Sequence, residues 1–273
     1  MLMKTKTIAM LLLVLLGFSG GTHSDAGERG FREIRYFPAQ EARQGVAVDD
    51  AYVYVVGSQR IGKYDKETGE RVAEWVGDES GPIIHLDSGV IVDGKLYCAH
   101  SNYPELPMTS SVEIWDAATL EHLGNHSFGI YRGSCTWVDC YDGHWWAAFA
   151  HYEKWKKDTG KGTECSSVVK FGEDWRELGS WVLPDSVVGR MRPMSNSGGS
   201  WGPDSLLYCT GHDYPEVYAL RIPEQGSVLE LVEVVPLDVY GQGIAWDRTW
   251  KNMIYGIRKK DREVVQSELI ITN

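Results

Sequence analysis

Gly45-Val-Ala-Val48, Tyr52-Val-Tyr-Val-Val56, Ile61 to Tyr64 and Arg71 to Trp75 are four short apolar runs inside the single stretch Gln44 to Trp75. Asp49-Asp50, Gly57-Ser-Gln-Arg60 and Asp65-Lys-Glu-Thr-Gly69 separate them. Two-residue alternation broken by Asp and Gly is the pattern of short antiparallel strands in a meander. The first run is the smallest, as a propeller blade requires of the strand that crowds its neighbours at the axis.

The same plan recurs. Ser88-Gly-Val-Ile-Val-Asp-Gly94, Leu96 to His100, Ser111 to Asp116 and Leu120 to Phe128 make a second unit. Ser134 to Asp139, Trp145 to Ala150, Ser167 to Phe171 and Leu178 to Leu183 make a third. Gly198 to Gly202, Leu206 to Gly211, Glu216 to Leu220 and Leu229 to Val235 make a fourth. The fifth, Gly241 to Asp247, Met253 to Ile257 and Glu263 to Ile271, stops after three strands. A period of roughly 40–50 residues is that of propellers. The missing strand is supplied by Phe31 to Phe37, which precedes the first unit; pairing it with the fifth closes the ring without a free edge. The expected fold is all-β, a single five-bladed β-propeller, with an open β-sandwich as the alternative.

Residues 1–26 read as a signal peptide. Lys4 and Lys6 lead, Ile8 to Phe18 is apolar but too short to span a bilayer, and Ser24-Asp25-Ala26 offers a cleavage site. The propeller is then expected over 27–273, secreted or periplasmic, with no membrane contact. The formal charge is -11, and the leader carries a net positive charge away with it, so nucleic acid is a poor partner. Monomeric behaviour is expected. Cys98 and Cys209 fall at equivalent places in non-adjacent units, and Cys135 and Cys140 flank one short strand, so unpaired thiols are expected.

In a propeller, the loops leading into each first strand share one face with those joining the second and third strands. That upper face gathers His85, His100, His151 and His212, the latter three at matched positions in successive blades. It also gathers Arg43, Arg60, Arg190, Arg192, Arg258, Lys259 and Lys260. Acid collects on the opposite face, although tight turns use Asp and Gly for their own reasons. A locally positive mouth on an acidic protein steers anions toward it.

Proton abstraction beside a carboxylate needs a base, a positive group for the developing charge and an acid. His151 or His212 suits the base, Arg258, Arg190 or Arg192 the charge, and Tyr152 the acid. Trp201 offers a platform for a sugar ring, and Asn102, Gln44 and Gln242 offer hydrogen bonds. Alternatively, His85, His100, His151 and His212 bind a divalent metal (Zn, Mn or Ca) for assisted hydrolysis; otherwise no cofactor is expected, and a redox quinone is disfavoured on so small a frame. The ligand expected is a small molecule or carbohydrate, anionic, such as a uronate or lactone, handled by a lyase or hydrolase. The competing reading is a non-catalytic glycan- or protein-binding propeller using the long loop Lys154 to Ser166.

Gly45-Val-Ala-Val-Asp49, Lys63-Tyr-Asp-Lys-Glu-Thr-Gly69, Val112 to Leu120 and Gln242-Gly-Ile-Ala-Trp-Asp247 resemble blade motifs of the quinoprotein-like and lactonase-like superfamilies of secreted propellers. The resemblance implies the fold and says little about chemistry. Plant-type glutaminyl cyclases share the five-blade plan, and the inventory of rim His and Gln is similar to that of some propeller-fold polysaccharide lyases.

Overall fold

A computed structural model describes residues 27–272; the signal-peptide reading of residues 1–26 lies outside them. Five four-stranded antiparallel sheets form the ring. Blade one is β2 (Gly45–Val48), β3 (Tyr52–Gly57), β4 (Arg60–Asp65) and β5 (Arg71–Val76). Blade two is β6 (His85–Val92), β7 (Lys95–Ser101), β8 (Ser110–Asp116) and β9 (His122–Gly129). Blade three is β10 (Ser134–Tyr141), β11 (His144–Ala150), β12 (Ser167–Phe171) and β13 (Glu177–Val182). Blade four is β14 (Gly198–Trp201), β15 (Leu207–Thr210), β16 (Glu216–Arg221) and β17 (Glu230–Pro236). Blade five is β18 (Ala245–Trp246), β19 (Met253–Arg258) and β20 (Glu263–Thr272), completed by the N-terminal β1 (Glu28–Pro38). Among the described residues no helix is long and apolar enough to cross a membrane.

The closing strand is longer than the sequence predicts. It pairs with β20 from Glu28 opposite Thr272 to Pro38 opposite Glu263. The added residues include Arg29, which bridges Asp204 at 3.0 Å and Glu233 at 3.2 Å in blade four. Closure therefore also ties blade five to its neighbour.

Each apolar cluster sits between two blades. Val46, Val55 and Tyr255 join blades five and one, and Tyr54, Leu96 and Trp115 join one and two. Trp137, Trp146 and Trp201 lie between three and four. The innermost β2 and β14 are buried along their whole length, while the outermost β5 and β9 expose alternate side chains. At the axis the chain is stripped to the smallest residues. A Cβ on Gly45 would stand 2.7 Å from Ser88 Cβ, one on Gly243 2.1 Å from the same atom, and one on Gly198 2.8 Å from Gly243 Cα. The inner strands touch there because nothing larger fits.

Turn chemistry accounts for much of the lower acid. Asp65 Oδ1 accepts from the Glu67 and Thr68 amides, and Asp116 Oδ1 from those of Ala118 and Thr119. Lys63 of β4 and Lys66 of the turn after it are staples between blades. Lys66 Nζ is 2.6 Å from Asp247 Oδ2 and donates to the Asp49 carbonyl at 2.7 Å. Lys63 Nζ donates to the Ala117 carbonyl at 2.9 Å. All five cysteines are free thiols.

Candidate functional site

Two β-bulges set the chemistry above the axis. The register of β6 on β7 slips between Leu86 and Gly89, and that of β10 on β11 between Cys135 and Trp137. A bulge frees residues from the ladder and re-aims their side chains. The residues freed are Asp87, Ser88 and Thr136, all buried. Asp87 Oδ2, Ser88 Oγ and Thr136 Oγ1 find no hydrogen-bond partner among the described residues, and neither does Gln242 Nε2 from the loop leading into blade five. Buried polar groups are nearly always paired, so a set of orphans close to the axis marks a place meant for something else.

Burial holds the Asp87 carboxyl well above the usual carboxylate range, and the charge of Lys259 draws it part of the way back. Lys259 moves the opposite way: burial lowers its amine, attraction to Asp87 opposes this, and Arg43 and Arg262 push it down further. His85 completes the group, with Nε2 3.9 Å from Asp87 Oδ2. Burial, then the charges of His100 and Lys259, push its imidazole down to about 4.

Lys259 also lines a basin of about 460 Å³ on the upper face, with Arg43, Lys260 and Arg262. His212, Asp213, Tyr240 and Gln242 form its remaining wall. Gln242 holds a left-handed backbone at φ 71° and Arg262 one at φ 58°. An adjoining cavity of about 550 Å³ shares Arg43 and Arg262 and adds Arg60. The protein has 38 acidic against 27 basic residues and pairs Arg29, Arg71, Arg190, Arg192 and Arg258 with carboxylates. Arg43, Arg60, Lys259, Lys260 and Arg262 make no salt bridge among the described residues. Asp213 is the acid that lines the basin beside Arg43, Lys259, Lys260 and Arg262, so positive charge dominates its wall.

The four imidazoles of the upper face do not meet. His100 is buried; its Nδ1 faces Ser111 Oγ at 2.9 Å and its Nε2 accepts the Ile84 amide at 3.2 Å, so neither nitrogen is open to a metal. His151 lines a separate cleft between blades two and three. His212 stands in the basin with Nδ1 2.7 Å from Asp213 Oδ1. Among the described residues no group of three His, Cys, Asp or Glu side chains is placed to hold a metal ion, so the proposed divalent site of His85, His100, His151 and His212 is not formed. The matched sequence positions fix where each strand ends but not where each ring points.

Several other predicted groups are committed to structure. Arg258 pairs with Glu33, Asp238 and Glu263 and so fastens the N-terminal strand. Arg190 forks onto Glu216 at 2.8 and 2.6 Å, and Arg192 reaches Glu153 at 3.0 Å and Glu164 at 2.7 Å. Trp201 is the last residue of β14 rather than part of a loop; it stacks on Tyr141 with centroids 4.7 Å apart and has no face left for a sugar. Asn102 holds the 102–109 loop through the Thr109 amide at 2.7 Å and the Pro107 carbonyl at 3.0 Å. Gln44 Nε2 donates to Ser58 Oγ at 3.0 Å, and its carbonyl accepts the Gly243 amide. Tyr152 is buried, and its hydroxyl is pushed upward first by burial and then by Asp87.

The chain matches no family profile, and no curated protein matches it in sequence. Solved structures share its architecture. The PQQ-bound aldose sugar dehydrogenase of Streptomyces coelicolor superposes with a TM-score of 0.56 at 12% identity, over 89% of this chain and 99% of that one. The hydrazine synthase of Kuenenia stuttgartiensis gives 0.49 at 13% identity over 83% and 82%, and the WD40 propeller of Doa1 gives 0.45 at 10% over 88% and 97%. The first of these likenesses agrees with the propeller fold that the five sheets show, and it speaks for the fold alone.

Proposed function

We propose that the protein is an exported enzyme that binds a small anionic molecule, such as a sugar acid or the lactone of one, in the upper basin and moves a proton on it, as a lyase or hydrolase does. The cluster of unpaired cations above the orphaned Asp87 carries this reading. Arg43, Arg262 and Lys260 take the carboxylate of the substrate, with hydrogen bonds strengthened by charge. His212, its Nδ1–H donated to Asp213, presents Nε2 as the base that removes the proton beside that carboxylate. The electron pair of the broken C–H bond forms the new double bond, the adjacent C–O bond breaks, and the leaving oxygen takes a proton from Lys259. An ammonium that burial makes more acidic than usual fits that role, and the buried Asp87 acts on it through its charge.

The basin also admits a second reading. The fold neighbour from Streptomyces coelicolor holds PQQ, a polycarboxylated quinone, and the same four cations suit such carboxylates. A quinone bound here would accept the electrons of a sugar oxidation. Incubation with uronate oligomers and aldonolactones, followed by the ultraviolet absorbance of a new conjugated double bond and by lactone opening, tests the first reading. Turnover that falls by about 10²–10⁴-fold in Lys259→Met and His212→Ala supports it. Binding of the uronate without product in the wild type points to a non-catalytic binder, and sugar-dependent dye reduction that appears only on addition of the quinone points to the second reading.

A further inference from the structure

The cleft between blades two and three has a different character from the basin. It encloses about 520 Å³, a volume within the range of small-molecule sites. Three large apolar side chains that the protein leaves in water meet at its lip: Leu106 at 40% exposure, Ile130 at 44% and Tyr131 at 82%. Met108 and Tyr152, both buried, close its floor. The back wall is cut to shape. Gly133 has φ 105°, and a Cβ there would lie 3.0 Å from Cε1 and 3.1 Å from Nε2 of His151, so only glycine lets the imidazole lie against the backbone.

The polar groups of the cleft are few and mixed in sign. His151 lines the cavity, and burial, then the charge of Lys161, push its imidazole down to about 4, so the ring is neutral near pH 7. Asp158 makes no salt bridge among the described residues, and Lys161 rests its ammonium 3.3 Å from the Tyr131 carbonyl across the opening. One carboxylate and one ammonium cancel, so the cleft has no preference for a charged ligand. A purely apolar ligand would leave the half-buried imidazole without a partner.

We propose that this cleft is a binding site for the neutral pyranose ring of a sugar, separate from the anion basin. The C–H face of the ring packs on Tyr131, which gives broad apolar contact at small entropic cost because its side chain has two rotatable bonds. The ring hydroxyls bond the imidazole of His151, the Asp158 carboxylate and the Lys161 ammonium. The inference stands on the cleft alone and does not need the basin to be catalytic.

Calorimetric titration with methyl glucoside, methyl galactoside and methyl mannoside, with benzyl alcohol as the apolar control, tests it. At least one pyranoside binds saturably, and Tyr131→Ala weakens that binding about tenfold or more, a change of about 1.4 kcal/mol. His151→Ala weakens it comparably, while citrate, an anion for the basin, does not displace the sugar. Unchanged thermal unfolding of the Tyr131→Ala variant shows that the loss is local. The proposal is overturned if no pyranoside saturates, if benzyl alcohol alone binds, if Tyr131→Ala binds as tightly as the wild type, or if citrate competes.

Discussion

Lys66→Met is the sharpest test of how the ring holds its circumference. The Lys66 ammonium is fully buried, 2.6 Å from Asp247 Oδ2 and 2.7 Å from the Asp49 carbonyl, with the Trp250 ring centroid at 4.5 Å. It joins blade one to blade five across the seam between the first and last blades. Methionine keeps the length of the stem and removes the charge, so the buried Asp247 carboxyl loses its partner. Breaking a buried pair from one side costs about 3–5 kcal/mol. For a protein of this size each kcal/mol lowers the melting temperature by about 2–4 °C, so a fall of roughly 6–20 °C is expected. The second variant, Lys66→Met with Asp247→Asn, removes the stranded charge but keeps the Oδ1 that accepts the Thr249 and Trp250 amides at 2.8 and 2.9 Å. It should recover more than half of the loss. Calorimetry or near-ultraviolet circular dichroism reads both. A single variant within about 1 kcal/mol of the wild type, or a double variant no better than the single, would refute the account of the seam as a desolvated ion pair.

Three further outcomes follow from the titrating groups and the ring closure. Asp87 has a raised folded-state pKa, so its contribution favours folding below the ordinary value of 3.8 and declines as pH climbs toward the raised one; Asp87→Asn should flatten that decline and unfold at higher denaturant than the wild type at neutral pH. His85 and His151 are both pushed down to about 4, so the stability they lend is present above 6.5 and lost as pH falls toward 4. Their ring proton resonances should stay at the neutral position between pH 8 and pH 5, and a midpoint near 6.5 for either would contradict their burial. Removal of residues 28–37 strips β1 from β20 and uncovers a ten-residue edge; light scattering should show self-association of a chain that otherwise remains dispersed.

The architecture was readable because strands and turns are local events. The Asp-x-x-Thr turns at Asp65 and Asp116, the small first run of each unit and the leftover strand at the N-terminus each leave a mark over a few residues. The site was less readable because its side chains come from different blades and their directions depend on register. A single-residue bulge sends Asp87 out of the ladder, and the only trace in the sequence is an acid inside an innermost strand, at His85-Leu-Asp-Ser-Gly89. Arg258 looked like a rim cation because the carboxylate that meets it, Glu33, arrives from the far end of the chain. Trp201 looked open to a sugar because its neighbours Gly199, Ser200 and Gly202 are small, while the ring that covers it, Tyr141, comes from blade three. Lys259, Lys260 and Arg43 were visible as basic rim residues, but that they remain without carboxylates while Arg190, Arg192 and Arg258 do not is a property of packing alone.

The glycine and serine hub sets a gauge. With Gly45, Ser88, Gly198 and Gly243 pressed together, a single added methyl at any of the three glycines would meet a neighbouring strand closer than 3 Å. Even alanine there would have to push blades apart, so the hub fixes the diameter of the wheel.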